Sequence, residues 1–400
     1  MRIPLAAAFW ALIFLVSIPA DLLTGYLIYF GPREAGGIFS PSQLMRLIIT
    51  AFIAYRLTAL PNRLLAVVAL GLYLLLLELF SLQVHKNLSA FSYGIVSAVK
   101  LTALFATTFL VFDQKDRKYI LLFFRMALVV ISAILCISVI ADFGRSTYAA
   151  GGFGSKSFFA SGNGLGLYLG AGTLALVVLD IRGRLKLNTW AMAVLSLGLL
   201  SLATKAALSF LIVSLLLRLS HKSKEVFMVG AASVVAYLIF GAELNALFYQ
   251  VLEIPIHRWD QANGDVIWFL TSARNLFIMD AIQGHLDSPN PLKILFGSGA
   301  FVGFQDPSTA SSVDLLEADL FDVYFIYGFL GLAIYGALFA KLFKRLCFSH
   351  MLCLIGAAIL LHSAFLGHMI FNGLMINLFI ALLAISVELK SPSYKRGSFV

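Results

Sequence analysis

Apolar runs long enough to cross a bilayer recur from one end of this chain to the other. The segment LLAVVALGLYLLLLELFSL, from Leu64 to Leu82, is representative. A helix needs about 20 such residues to span the hydrocarbon core. Inside that core every backbone N–H and C=O must be paired within the protein, so closely spaced runs of this kind leave helices as the available structure. Only 12% of the 400 residues are charged and 60% are hydrophobic. A soluble domain carries about a quarter charged residues. The fold expected is all-α: a polytopic integral membrane protein forming one membrane domain over 1–400.

The spans expected are 5–30, 43–61, 64–82, 95–112, 119–141, 157–180, 187–204, 206–218, 225–247, 318–340, 350–366 and 368–388. The N-terminus resembles a signal peptide but lacks a clean small-x-small cleavage site, so an uncleaved first helix is expected. Most of the 29 lysines and arginines then fall in every second connection, among them Arg56, Arg63, Arg117, Arg184, Arg218 and Arg345. By the positive-inside rule both termini are cytoplasmic, with 390–400 as a polar tail. The net charge of +9 reads as this orientation signal and not as a nucleic-acid surface. Three cysteines, Cys136, Cys347 and Cys353, lie in helices or near the inner face, which argues against structural disulfides.

One connection differs from the rest. Residues 248–316 form a long outer subdomain between helices nine and ten, with aromatic and apolar content too high for disorder. Within it, Ser272 is expected to cap a short amphipathic helix whose apolar side holds Leu276, Phe277, Met279 and Ile282.

Several outer-side residues could carry chemistry. Arg274 stands at the start of that loop helix, where a guanidinium fork and free backbone N–H groups suit phosphate oxygens. Lys205 lies in the hairpin SLATKAAL between two short helices. It is either recessed in a cavity, where an ammonium needs an anion or water, or snorkels from a surface turn. Glu317, Asp319 and Asp322 open the next span. First-turn acids favour the helix dipole, but a carboxylate there could also serve as a general base or position a cation. Asn163 sits among Gly162, Gly164, Gly166 and Gly170. The glycines suit close helix packing, and the amide could meet a polar ligand. His362 and His368 flank the last outer turn as packed imidazoles that could touch substrate; no metal-binding spacing is visible.

Five stretches together resemble a known family: SGNGLGLYLG, ATKAA, TSAR followed by FGSG, EADLFDVYFIYGFLG and FLGHMIFN. Over about 150–400 the chain is similar to the superfamily of bacterial O-antigen ligases and Wzy-type polysaccharide polymerases. That resemblance implies a membrane glycosyltransferase acting on the outer face of the bacterial plasma membrane. Its donor would be an undecaprenyl-diphosphate-linked glycan, used without nucleotide sugar, cofactor or metal. It further implies cations holding the diphosphate, here Arg274, Lys205 and Arg145, and acids near the reacting hydroxyl. A chain-length regulator and a flippase of the same pathway are the implied partners, along with the bilayer. Ligases of the group carry a pattern like H-N-x-x-L-x6-G. Counting back eleven from Gly328 reaches Glu317, then Ala318, with Phe321 in the leucine place. The ligase histidine is missing, so the polymerase branch is favoured and a ligase is the alternative. A flippase or transporter is a second class, weakened because the two halves do not repeat. A non-catalytic component of an export complex is a third.

Overall fold

The computed structural model describes residues 4–31, 39–86, 88–147, 153–221, 249, 256–287, 290–300, 316–367 and 369–391. Helix α1 (Leu5–Ala11) runs through one π turn at Leu12–Val16 into α2 (Ser17–Phe30), so the first apolar segment is continuous. Then follow α3 (Pro41–Leu57), α4 (Pro61–His85), α5 (Leu88–Thr107) and α6 (Gln114–Ile140). A small antiparallel hairpin, β1 (Arg145–Ser146) and β2 (Ser155–Ser157), leads into α7 (Gly162–Ile181). Next come α8 (Thr189–Leu202) and α9 (Lys205–His221). The long connection holds α10 (Val266–Thr271), α11 (Arg274–Asp287) and α12 (Pro291–Phe296). The chain returns through α13 (Asp319–Leu346), α14 (His350–Leu366) and α15 (Leu374–Lys390).

Among the described residues, six helical segments are long and apolar enough to cross a membrane: the first one, α4, α5, α6, α7 and α13. Their starts follow local chemistry. Proline opens α3 and α4, where its missing N–H costs nothing. Asp113 caps α6 by accepting from Asp116 N at 2.6 Å, and Asn188 caps α8 from Ala191 N at 2.8 Å. Helices α7 and α15 form the centre and are buried along nearly their whole lengths. By contrast α4 turns Leu65, Leu72 and Leu76 outward. Apolar rows exposed in this way belong against lipid and would be a liability in water. The protein is membrane-embedded.

Small residues set the central packing. A methyl at Gly170 would lie 2.6 Å from Phe210 Cβ, and one at Gly166 would lie 2.3 Å from Thr204 Oγ1. The glycines of α7 therefore let α9 approach closely, as the sequence pattern suggests. At the end of the bundle where α3 finishes and α6 begins, Asp116 accepts from Trp10 Nε1 at 2.8 Å and pairs with Arg56 at 2.5 Å. Arg117 pairs there with Glu388 at 2.9 Å, and Arg345 donates to the carbonyls of Thr108 and Leu110. These cationic turns thus interlock with one another.

Three expectations change. Helix α5 starts at Leu88 and not at 95, and the last helix starts at Leu374 and not at 368, because the residues before it form a turn. Cys347 and Cys353 are joined in a disulfide across the tight turn between α13 and α14, contrary to the expectation of unpaired cysteines; the six-residue separation brings the sulfurs together. Cys136 is free. The span expected at 225–247 lies outside the described residues.

Candidate functional site

At the opposite end of the bundle, helices α3, α7, α9, α13 and α15 all begin near one another. Their first turns contribute Ser42 and Gln43, Gly162 and Asn163, Lys205, Asp319 and Asp322, and Leu374 to two adjoining cavities. Each helix N-terminus carries partial positive charge and unpaired N–H groups, so their convergence favours anions before any side chain is counted.

The wider cavity, about 440 Å³, is lined by Asn163, Lys205, Arg274, Glu317 and His362, five residues singled out from the sequence. Lys156 and Arg258 join them. Four cations thus face one carboxylate among the described residues. Arg274 is 7% exposed, is the first residue of α11, and pairs through Nη2 with Glu317. Its Nη1 lies 3.4 Å from the Thr271 carbonyl. Lys205 is recessed, as one of the two sequence readings has it, but its partners are neutral. Nζ donates to the Phe269 carbonyl and to Ser272 Oγ at 3.2 Å, and it sits 4.1 Å from the centre of the Phe269 ring. These contacts aim the ammonium without neutralising it.

Ser272 corrects an expectation. It does not cap α11; it ends α10 in a left-handed conformation, φ 56°. Its hydroxyl serves Lys205 instead. The apolar side of α11 is as expected in composition, and Leu276, Phe277 and Met279 are exposed, while Arg274, Ile278 and Ala281 are buried.

Arg145 is also corrected. It lines neither cavity, and its guanidinium stands 5.3 Å from the centre of the Tyr29 ring. The hairpin register explains why. Arg145 opposes Ser157, so the intervening Lys156 points to the other face of β2 and into the wider cavity. Burial, with Arg145 nearby, holds the Lys156 ammonium below the usual lysine value of 10.5.

The inner cavity, about 210 Å³, meets the wider one at Ala160, Ser161 and Glu317, which line both. Asp319 and Asp322 line it too, each 1% exposed. Both are heavily engaged. Asp319 Oδ2 accepts from Ser363 Oγ at 2.7 Å and from the N–H groups of Met369 and Ile370 at 2.8 and 3.0 Å. Asp322 accepts from Leu316 N at 2.8 Å and Ala318 N at 3.1 Å. Glu317 is different: its side chain is 48% exposed. Its backbone is left-handed, φ 56°, a strained state for a non-glycine residue that costs about 1–3 kcal/mol. Asp322, which accepts from the N–H groups on either side of Glu317, maintains that conformation.

A buried ion pair stands at the back of the inner cavity, and its cation is one of the outer-side charges rather than one of the residues singled out by motif. Arg46 on α3 pairs with Asp21 on α2 at 2.5 Å, and Lys100 on α5 lines the same wall. Lone charges in apolar helices were the available signal. A second missed group is Glu78 on α4, buried, which accepts from Ala300 N at 3.1 Å. It anchors the FGSG turn. That turn also donates to α13, from Ser298 N to the Phe325 carbonyl at 3.0 Å and from Gly299 N to the Ile326 carbonyl at 2.9 Å. The second contact point is where α13 breaks, at Gly328, φ 65°. His368 lies outside the described residues. Compared with known families and with characterised proteins, the chain matches no family model and no characterised sequence.

Proposed function

We propose that this chain is a membrane glycosyltransferase that extends a polysaccharide from lipid-diphosphate-linked glycan units, as the resemblance to Wzy-type polymerases implies. The observation that carries the reading is the wider cavity: Lys156, Lys205, Arg258 and Arg274 face one carboxylate at a meeting of helix N-termini. Such a site suits a diphosphate leaving group, whose charge grows as the glycosidic bond breaks and which fixed cations stabilise. Arg274 supplies the planar fork and Lys205 a point charge. Asn163 and His362 meet the sugar nearest the diphosphate.

Glu317 is the acid best placed to take the proton of the attacking hydroxyl. It is the exposed one of the three and reaches both cavities. Asp322 holds it in position through the N–H groups of Leu316 and Ala318, while Asp319 ties the start of α13 to Ser363, Met369 and Ile370. In this reading the protein has twelve spans with cytoplasmic termini in a bacterial plasma membrane. The cavities then open on the outer side, and the exposed apolar side of α11 lies against the membrane surface.

The test is reconstitution. Purified protein and a lipid-diphosphate repeat unit should give a ladder of longer glycans. A substrate that changes leaflet without lengthening would show a flippase. Transfer of one glycan to a non-carrier acceptor would show a ligase.

A further inference from the structure

The inner cavity is a built site of a different character from the wider one. Arg46 is 2% exposed and lines it. One of its terminal nitrogens, Nη2, is used on both oxygens of Asp21, at 2.7 and 2.5 Å. The other, Nη1, is buried and has no hydrogen-bond partner among the described residues. A buried guanidinium nitrogen left in this state costs free energy until a ligand meets it. Lys100 lines the same wall and makes no hydrogen bond among the described residues, with Asp21 as the carboxylate acting on it. On this wall two cations and one carboxylate leave a single positive charge, although the whole lining holds four carboxylates. The first turns of α3, α7 and α15 reach the cavity through Gln43, Ser161 and Leu374 and add to the same sign.

The cavity also fixes what kind of anion fits. Glu317, Asp319 and Asp322 also line it, so a dianion would meet carboxylates it cannot avoid. A monoanion balances the one charge that Asp21 leaves over from Arg46 and Lys100. The remaining lining mixes donors and acceptors with ring faces: Thr24, Tyr93 and Asn372 beside Phe159 and Phe371. That combination suits a hydroxylated ring with one apolar face. The volume, about 210 Å³, suits one ring and not a chain of them.

We infer that the inner cavity binds a single sugar unit bearing one carboxylate, a uronic-acid-type residue, with the carboxylate held between Arg46 and Lys100. The inference rests on the glycosyltransferase reading for its consequence: an acidic sugar seated there presents a hydroxyl to Glu317, which lines both cavities. The specificity of chain growth then includes a requirement for an acidic unit in the acceptor glycan.

The test uses the full-length protein in lipid nanodiscs, with equilibrium binding as the readout. The probes are D-glucuronate, D-glucose and inorganic phosphate. Glucuronate should bind at least tenfold more tightly than glucose, and Lys100→Gln should weaken it at least tenfold. Gln43→Glu adds a carboxylate to the half-buried lining without removing an interior group and should also weaken it; it decides the matter if Lys100→Gln fails to fold. Equal binding of glucose and glucuronate overturns the inference. So does phosphate displacing glucuronate at lower concentration, or wild-type affinity in folded Gln43→Glu. The two proposals fail separately. Glucuronate binding without glycan elongation sinks the polymerase and leaves the site. Elongation without glucuronate binding does the reverse.

Discussion

Arg274 and Glu317 form an ion pair at the seam of the two cavities, joining the start of α11 to the second residue before α13. Removing the arginine takes away a phosphate ligand and the partner of Glu317 together. Arg274→Ala should lower glycan elongation by about 100-fold or more, the scale seen when one fixed donor to a developing charge is lost. Arg274→Lys should not restore it, because an ammonium lacks the planar fork. Both variants should reach the membrane at normal levels, read by immunoblot beside the elongation ladder. Elongation at the wild-type rate in Arg274→Ala would remove the proposed anchor.

The three acids should separate. Glu317→Gln keeps the shape and a hydrogen bond to Arg274 but cannot take a proton, so elongation should fall with little change in melting temperature. Asp319→Ala leaves the N–H groups of Met369 and Ile370 and the Ser363 hydroxyl without their acceptor. A loss of several buried partners at once costs a few kcal/mol, about 1–3 for each unsatisfied group. A thermal melt should therefore show the larger drop for Asp319→Ala. The reverse order would exchange the roles assigned to Glu317 and Asp319.

A pair of glycines tests the inner wall. A methyl at Gly373 would stand 1.7 Å from Arg46 Nε, so Gly373→Ala must displace the guanidinium that pairs with Asp21. Breaking a buried ion pair costs about 3–5 kcal/mol. At Gly336 in α13 an added methyl meets nothing within 4 Å. Gly336→Ala should raise stability by about 0.5–1 kcal/mol through helix propensity. Melting curves of the two variants in one detergent compare them directly.

The pH dependence follows from Lys156. Burial, with Arg145 adding to it, places its folded-state pKa below 10.5. Only the protonated form attracts a phosphate oxygen. Donor affinity is therefore full below the lowered pKa and falls as pH rises through it. Titrating donor binding through the alkaline range should show the fall, and Lys156→Arg, which stays charged, should remove the part Lys156 contributes and leave the part from Lys205, whose burial beside Arg258 and Arg274 pushes it down to about 8. An unchanged profile in Lys156→Arg would take Lys156 out of the anion site.

Much of this was legible in the sequence where the signal was local. Apolar length placed α4, α6 and α13, and motif chemistry selected Arg274, Lys205, Glu317, Asn163 and His362, which line one cavity. What escaped depended on which helices become neighbours. Arg46, Asp21 and Lys100 lie on three different helices, and nothing within any one of them announces the others. Arg145 was misplaced because strands of two and three residues leave no periodic trace, and strand register decides which cation faces inward. Ser272 reads as a cap because serine before an amphipathic run favours one, and nothing local shows that α10 ends there in a left-handed conformation.

The break in α13 at Gly328 has a consequence for anyone recombining such chains. The FGSG turn fills that break and is held from α4 by Glu78, so residues 296–300 form part of the wall of the bundle. The long connection is therefore not an interchangeable module. A hybrid that takes this loop from another protein must also import its receiving surface, Glu78 and the stretch around Gly328. Otherwise the graft carries an intact Arg274 to the wrong height above the cavity.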